Sequence, residues 1–153
     1  MIQFHIEHFS ELPSSNARLL QYAREGADEG TVILTDYQTE GYGKPGTTWE
    51  SPPKKNLLFS VLLRPPMGPH QAPMLTQLVC RSVAKVLTEK HALPVRFKNP
   101  NDLMIEENKI CGVLLESSSV VGNQATLNYV VVGMGLNVNA ETNELIESAT
   151  SMK

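Results

Sequence analysis

The fold is decided by residues 101–116, which read NDLMIEENKICGVLLE, and by residues 127–134, which read LNYVVVGM. Residues 103–105 and 110–116 are apolar segments on either side of a short turn, in which Asn108 is a good candidate for a positive φ. A second turn, at Gly122 and Asn123, leads into the nearly continuous apolar segment 127–134. The pattern predicts antiparallel strands joined by tight turns.

Upstream of these strands, residues 31–35 are short, β-branched and apolar, which is typical of a buried strand, and residues 56–63 and 94–98 are also predicted to be strands. A first helix is predicted after a cap at Ser14 or Ser15, with Gly26 and Gly30 available to end it. Its predicted buried face consists of Leu19, Leu20, Ala23 and Ala27. These elements place the first helix before the predicted strands 31–35 and 56–63.

A second helix is predicted by apolar residues at helical spacing. Its predicted buried face consists of Leu75, Leu78, Val79, Val83 and Val86. Residues 144–149 are predicted to start a further helix. Antiparallel hairpins with separate helices indicate the α+β class, in the form of a mixed, largely antiparallel sheet with helices packed on one side. We expect residues 1–153 to form a single domain.

Composition excludes several classes of function. The 153 residues are 41% hydrophobic and carry a formal net charge of −3, so there is no overall basic field for nucleic acid. No apolar run is long enough to span a membrane, and the first residues lack the pattern of a signal peptide. The two cysteines and four histidines lack the spacing of a zinc site. We therefore expect a cytoplasmic protein that does not act on nucleic acid or membranes.

The first candidate site is the long segment 36–56, which shows neither helical nor strand periodicity. It contains residues 41–46, which read GYGKPG, followed by Trp49. An extended segment follows the glycines, so the strand–glycine–helix setting of a dinucleotide site is missing. From these residues alone, a mobile surface loop remains open beside a ligand lid, in which glycine backbone and Lys44 meet a phosphate and Trp49 stacks on a base.

Two further clusters could carry chemistry. Residues 98–102 read KNPND and are followed by Lys109 and Gly112, which the predicted hairpin brings back towards the proline. Two cations beside Asp102 would suit a reaction between a carboxylate and a nucleotide, although a solvated charged turn has the same composition. Residues 133–139 read GMGLNVN, where glycines permit close approach to a ligand or simply mark a strand end.

Taken in this order, the three clusters resemble those of biotin protein ligases, members of the biotin/lipoate ligase superfamily. The shared positions are Gln38, Gly41, Gly43, Gly46 and Trp49, then Lys98, Pro100, Asn101, Asp102, Lys109 and Gly112, then Gly133, Gly135, Asn137 and Asn139. The segments 56–60 and 149–151 also resemble that family, so the likeness runs from about Ser14 to Lys153. It implies the class II aminoacyl-tRNA synthetase/biotin ligase-like fold.

The resemblance implies a two-step reaction that uses ATP and Mg²⁺. Biotin is activated as biotinyl-5′-AMP and then transferred to a lysine of the biotin carboxyl carrier domain of a biotin-dependent carboxylase. Lys109, supported by Lys44, would be catalytic because cations must separate the two anionic reactants. Asp102 would be the carboxylate nearest to Mg²⁺.

The resemblance also implies binding residues. The biotin site would consist of the side chains of Ser14, Ser15, Asn16 and Gln38 around the ureido ring and the backbone of Gly41 and Gly112. The nucleotide site would consist of Gly43, Lys44, Trp49, Lys98, Asn101 and Asn137, with Trp49 beside adenine and Asn137 reading it.

The chain departs from the family at several positions. The family loop usually reads Gly-Arg-Gly-Arg-Arg-Gly, whereas this chain has Tyr42, Lys44 and Pro45 at the arginine positions. Because lysine cannot reproduce the bidentate grip of arginine, we expect the loop to hold the adenylate less tightly and to leak it. Asn99 replaces an aromatic residue, which would loosen the wall of the biotin site. We also expect no N-terminal DNA-binding domain and no C-terminal β-barrel, and a homodimer is left open.

Two other functions remain open. A lipoate or octanoate ligase or transferase would share the architecture and the lysine, although the polar residues Ser15, Asn16 and Gln38 suit a ureido ring better than a dithiolane. A non-catalytic biotin or adenylate binder would be stabilised by its ligand without turnover.

Overall fold

The structure is a computed structural model that describes residues 1–120 and 126–153. Its seven strands are β1 (His5–Phe9), β2 (Thr31–Thr35), β3 (Leu57–Leu63), β4 (Val95–Lys98), β5 (Asp102–Ile105), β6 (Asn108–Val120) and β7 (Thr126–Leu136). They form one sheet in the order β1-β2-β3-β7-β6-β5-β4. Only β1 and β2 pair in parallel, and the other neighbours are antiparallel. The predicted mixed, largely antiparallel α+β sheet is confirmed.

Two helices, α1 (Ser15–Arg24) and α2 (Ala72–His91), pack on this sheet, together with short 3₁₀ turns at Pro69–Gln71 and Thr142–Glu144. The predicted cap of α1 is confirmed at Ser14, whose side chain accepts a hydrogen bond from the backbone N–H of Ala17 at 3.3 Å. Gly26 follows the last turn with a φ of +94°, a conformation that strongly favours glycine.

The two helices lie on opposite faces of the sheet, so the prediction that they pack on one side is wrong. Val131 of β7 packs with Leu19 of α1, whereas Val130 belongs to the cluster that contains Cys80 and Leu87 of α2. Neighbouring strand residues point to opposite faces, so the two clusters lie on opposite sides of β7. An apolar strand that is buried on both faces carries no alternation from which the side of each helix could be read.

The buried stripe of α2 differs from the prediction. Cys80 and Leu87 are buried, while Leu78 and Val86 are 62% and 53% exposed. The predicted residues Leu75, Val79 and Val83 do face the core, and Leu87 continues their row at a spacing of four. The spacing of apolar residues identified the helix correctly, but Leu78 and Val86 lie to the side of its contact line with the sheet.

Two local predictions also need correction, one strand was not predicted, and one prediction cannot be assessed. The positive φ in the β5–β6 turn belongs to Glu106 (φ 51°), because Asn108 already pairs with Ile105. Residues 144–149 do not continue into an α-helix. The strand β1 was not predicted, because most of its residues are exposed at the sheet edge. The predicted turn at Gly122 and Asn123 lies outside the described residues.

No helix in the described part of the chain has both the length and the apolar character that crossing a membrane requires.

Candidate active site

Glycines of β6 and β7 form the floor of a cavity of about 240 Å³ on the α1 side of the sheet. Gly112 pairs with Gly135 across the two strands, and Gly133 lies one step further along the same face. A Cβ atom at Gly133 would overlap the amide of Asn16, and one at Gly135 would overlap the ring of Trp49. The sheet therefore has no side chains where Asn16 and Trp49 come closest to it.

One end of the cavity is neutral and polar. Ser14, Asn16, Gln38 and Tyr42 line it. Behind this wall, Ser15 donates from its backbone N–H and from its hydroxyl to Gln38 Oε1, at 2.8 and 3.0 Å. The hydroxyl of Ser60 donates to Asn16 Oδ1 at 2.5 Å, and Asn16 Nδ2 donates to Glu116 Oε2 at 2.9 Å. Both ends of the Asn16 amide are therefore fixed by β3 and β6.

Tyr42 joins this network from the long loop. Its hydroxyl donates to Glu116 Oε2 at 2.8 Å. Burial, followed by the hydrogen bond to Glu116, raises the pKa of Tyr42 to about 12, so the phenol remains a donor at neutral pH. No sequence pattern predicts a role for Tyr42, Glu116 or Ser60 in this network. The available signal was spacing, because Glu116 lies two residues beyond Leu114 and four beyond Gly112 and therefore shares their face of β6.

The other end of the cavity is charged. Lys109 Nζ lies 2.7 Å from Asp102 Oδ1 and 5.4 Å from the centre of the Trp49 ring. Lys44 also lines the cavity and is exposed. The side chain of Asn101 is buried and donates to the carbonyl of Val113, while its Oδ1 atom has no partner within the described ranges. The predicted grouping of Lys109, Asp102 and Asn101 is thus present in the fold.

Trp49 separates this cavity from a second one of about 160 Å³. Thr48, Trp49 and Lys109 line both cavities. The rest of the second lining is Glu50, Asn137, Leu145, Ile146 and Ala149. The indole Nε1 is buried without a hydrogen-bond partner among the residues that the structure describes. A ligand that extends past Lys109 from the first cavity into the second would therefore contact Trp49 in both cavities.

Residues near the end of the chain position Lys109. Its backbone N–H donates to Ser148, and its carbonyl accepts from Thr150, both at 2.9 Å. Asn137 Nδ2 donates to the carbonyl of Thr150 at 3.0 Å, and Asn137 Oδ1 accepts from Asn56 at 3.0 Å. Asn137 is thus buried at the second cavity, and both its amide nitrogen and its amide oxygen form hydrogen bonds within the protein.

The structure does not bring every predicted residue to the cavity. Ser15 lies behind the polar wall rather than in it. Gly41 is buried, and its carbonyl accepts a hydrogen bond from the backbone N–H of Trp49 at 2.9 Å. Lys98 is exposed on β4 and lies outside the lining of both cavities. Asn137 lines the second cavity. The other predicted residues line the first cavity together: Ser14, Asn16, Gln38, Gly43, Lys44, Trp49, Asn101, Asp102, Lys109 and Gly112.

The oxygen atoms of this cavity suit a metal ion only if a bound ligand supplies most of its coordination. Within residues 1–120 and 126–153, no group of three His, Cys, Asp or Glu side chains could hold a metal ion. Asp102 and Asn101, whose Oδ1 atom has no partner among the described residues, both line this cavity with side-chain oxygen atoms. Mg²⁺ is commonly bound by one or two carboxylates together with substrate phosphates. These residues therefore fit a Mg²⁺ ion that is carried mainly by the phosphates of a nucleotide.

Comparison with known proteins identifies relatives for almost the whole chain. The sequence model of the Biotin/lipoate A/B protein ligase family matches residues 10–137. The bifunctional ligase/repressor BirA of Bacillus subtilis is 30% identical over 152 residues, which cover 97% of this chain and 46% of that protein. The biotin--[acetyl-CoA-carboxylase] ligase of Mycobacterium tuberculosis is 33% identical over 145 residues, covering 91% of this chain and 51% of that protein.

Solved structures agree with these relatives. Biotin protein ligase from Aquifex aeolicus in complex with biotin and ATP has a TM-score of 0.74 and 31% identity, over 96% of this chain and 59% of that one. The chain spans about half the length of the curated relatives it matches. The fold and the family resemblance inferred from the three clusters are confirmed, and the chain belongs to the biotin/lipoate A/B protein ligase family.

Proposed function

We propose that the chain is the catalytic core of a ligase that uses ATP to activate biotin as biotinyl-5′-AMP. The biotinyl group then passes to a lysine of the biotin carboxyl carrier domain of a biotin-dependent carboxylase. The observation that carries this proposal is the polarity of the first cavity. Its walls are neutral and polar near Asn16 and Gln38, glycine-lined in the middle and cationic near Lys109.

Biotin has the complementary distribution of groups. Its ureido ring carries two N–H donors and one carbonyl acceptor without net charge, and its valeryl chain ends in a carboxylate. Gln38 and Ser14 offer acceptors and donors at the neutral end. The network behind Asn16 fixes its amide, so a ring that binds there meets groups that are already oriented. A dithiolane offers no N–H groups to this wall, which favours biotin over lipoate.

In the first step, a carboxylate oxygen of biotin forms a bond to the α-phosphorus of ATP while the bond to the bridging oxygen breaks and pyrophosphate leaves. Two anions must approach each other, so a fixed cation between them lowers the barrier. Asp102 and the ring of Trp49 hold the Lys109 ammonium at the charged end, and Lys44 supplies a second cation from the loop. Bound Mg²⁺ would neutralise further phosphate charge beside Asp102 and Asn101.

In the second step, the amine of the carrier lysine attacks the carbonyl carbon of the mixed anhydride, and AMP leaves. The amine loses a proton to solvent in this step, so the chain has mainly to position the reactants and to exclude water from the anhydride. Residues 41–49 cover the cavity and are suited to that exclusion. Cys80 and Cys111 are free and buried, which is consistent with the reducing cytoplasm that we propose as the location.

The test is biotin-dependent release of pyrophosphate from ATP and Mg²⁺, with lipoate as the competing acid. We expect Lys109→Ala to lower this rate by about 100-fold or more, because removal of one preorganised electrostatic group commonly has that effect. Lys85→Ala is the matched control, since Lys85 is exposed on α2, away from the cavity.

Release that depends on lipoate instead of biotin would assign the chain to the lipoate branch of the family. Thermal stabilisation by biotin without any release of pyrophosphate would identify a binding protein and contradict the proposed activity.

A further inference from the structure

The segment of residues 148–150 pairs with the start of β6, where β7 does not reach. The register of β6 with β7 starts at Cys111, two residues after Lys109. At Lys109 the backbone N–H donates to Ser148 instead, and the carbonyl accepts from the N–H of Thr150, both at 2.9 Å. The segment therefore takes the place of a neighbouring strand beside Lys109.

On its other side, the start of β6 is paired irregularly. β5 runs alongside, but its register with β6 shifts between Leu103 and Met104, and Met104 is the residue opposite Lys109. Backbone groups at the end of a strand open easily when they lack a well-formed ladder. The backbone of Lys109 therefore depends strongly on its two bonds to residues 148–150.

Thr150 is itself held at both of its backbone polar groups. Its N–H donates to Lys109, and its carbonyl accepts from Asn137 Nδ2 at 3.0 Å. Asn137 is 3% exposed, and its Oδ1 atom accepts from Asn56 Nδ2 at 3.0 Å. Asn56 Oδ1 in turn accepts from the N–H of Val138 at 2.8 Å. Thr150 thus connects Lys109 to a pair of amides at the start of β3 and the end of β7.

We propose that Thr150 is a positioning residue for the first step, and that its backbone N–H fixes the backbone of Lys109 beside the cavity. This inference rests on the proposed function, which assigns Lys109 the charge that bridges the two anions. Thr150 and Asn56 lie outside the lining of both cavities described above, so they act on a ligand through other residues. The role also accounts for segments 56–60 and 149–151, which resemble the family but hold none of the predicted site residues.

Positioning of this kind should affect the rate rather than binding. The ammonium of Lys109 lies at the end of a long side chain, so a shift of its backbone moves the charge relative to the reacting oxygen atoms. A misplacement of about 1 Å can lower a rate about 100-fold. The residues that contact biotin and ATP are unchanged, so the KM for each should remain nearly the same.

Thr150→Pro removes the N–H that donates to Lys109. We expect kcat for biotin-dependent release of pyrophosphate to fall about tenfold or more, with KM for biotin and ATP within about twofold of the original values. An amide-to-ester substitution at Thr150 removes the same N–H while keeping the side chain and a free φ, and it should lower kcat even if proline disturbs folding. An unchanged kcat in the ester variant would overturn the proposal.

The matched control is Glu147→Pro. Glu147 is exposed and is the second residue of the turn that Ile146 and Ala149 close with a backbone hydrogen bond of 2.9 Å. Proline is favoured at this position of a turn, so the segment keeps its bonds to Lys109. This variant should leave kcat unchanged, and a loss as large as that of Thr150→Pro would contradict the specific role of Thr150.

A double variant separates positioning from a general structural defect. If Thr150 acts through Lys109, adding Thr150→Pro to Lys109→Ala should not lower the remaining rate any further. A further tenfold loss in the double variant would show that Thr150→Pro damages the site independently of Lys109, and would overturn the proposal.

Hydrogen exchange in the ligand-free protein tests the support of Lys109 without relying on activity. We expect the amide of Lys109, which donates to Ser148, to exchange about tenfold faster in Thr150→Pro and at the original rate in Glu147→Pro. Unchanged exchange in Thr150→Pro would overturn the proposed support. If the original chain releases no pyrophosphate with biotin, the proposed function fails, and exchange at Lys109 still decides whether Thr150 holds its backbone.

Discussion

The two faces of β6 and β7 differ sharply, although they are built by alternate residues of the same strands. On one face, Cys111 and Val130 pack with the core side of α2, and water is excluded. On the other face, Gly112 and Gly135 leave the backbone bare beneath Trp49 and the cavity. One face supplies the apolar burial that stabilises the fold, and the other provides the space and the polar groups that a ligand needs.

Stability and binding can therefore be separated between neighbouring residues of one strand. Side chains alternate between faces, so a change at one position affects one property while its neighbour affects the other. Three variants test how complete that separation is.

Leu87→Ala should have the largest effect. Leu87 is buried on the core side of α2, so its truncation leaves a cavity and lowers the free energy of unfolding by roughly 2–5 kcal/mol. Val86→Ala is the matched control because Val86 is 53% exposed, and it should change the free energy by less than about 0.5 kcal/mol. Urea denaturation measures both. A changed affinity of folded Leu87→Ala for biotin would show that the two faces are coupled.

Gly135→Ala should affect binding instead. The new Cβ overlaps the Trp49 ring, so the ring must leave the glycine floor, and we expect biotin affinity to fall about 10- to 100-fold. Calorimetric titration measures this loss. The double variant with Trp49→Ala and Gly135→Ala should lose less biotin affinity than the sum of the two single losses, because both changes act on one contact. Fully additive losses would argue against this overlap as the cause.

Ser60→Ala should have the smallest effect and should touch both properties. Ser60 is fully buried and donates to Asn16 Oδ1, so its loss frees one end of the Asn16 amide. We expect the free energy of unfolding to fall by about 1 kcal/mol and biotin affinity by about threefold to fivefold. Ser82→Ala is the control, since Ser82 is exposed and its hydroxyl donates only to the carbonyl of Leu78 in the same helix. An unchanged affinity of the Ser60→Ala variant for biotin would contradict the proposed contact between Asn16 and biotin.

Local patterns were enough to predict much of the fold. Apolar segments located β2, β3 and β4 to within a residue or two, and the cap at Ser14 followed from residue type. The contact line of α2 could not be predicted, because Leu78 and Val86 have the right spacing and only the angle between helix and sheet leaves them exposed. β1 was missed because its residues are mostly exposed, and pairing with β2 rather than its own pattern makes it a strand.

The cavity was predicted where its residues belong to recognisable motifs, as with Lys109, Asp102 and the glycines. The residues that sequence reasoning missed act through tertiary contacts. Tyr42 and Glu116 are distant in sequence, and neither residue type suggests a role until the fold brings them within 2.8 Å. Lys98 shows the converse, because it matches a motif position but is exposed on an edge strand. Its expected contact with a nucleotide stays a prediction.

The hydrogen bonds of Asn16 to β3 and β6 also affect how fast the protein folds. Asn16 bonds to Ser60, 44 positions away, and to Glu116, 100 positions away. Closing such long loops costs chain entropy before the contacts compensate for it, so proteins that depend on distant pairs fold slowly. The cavity cannot exist until β3, β6 and β7 have paired around α1. During refolding, ligand binding should therefore appear with the slowest phase of sheet formation, well after α2 has gained its helical signal.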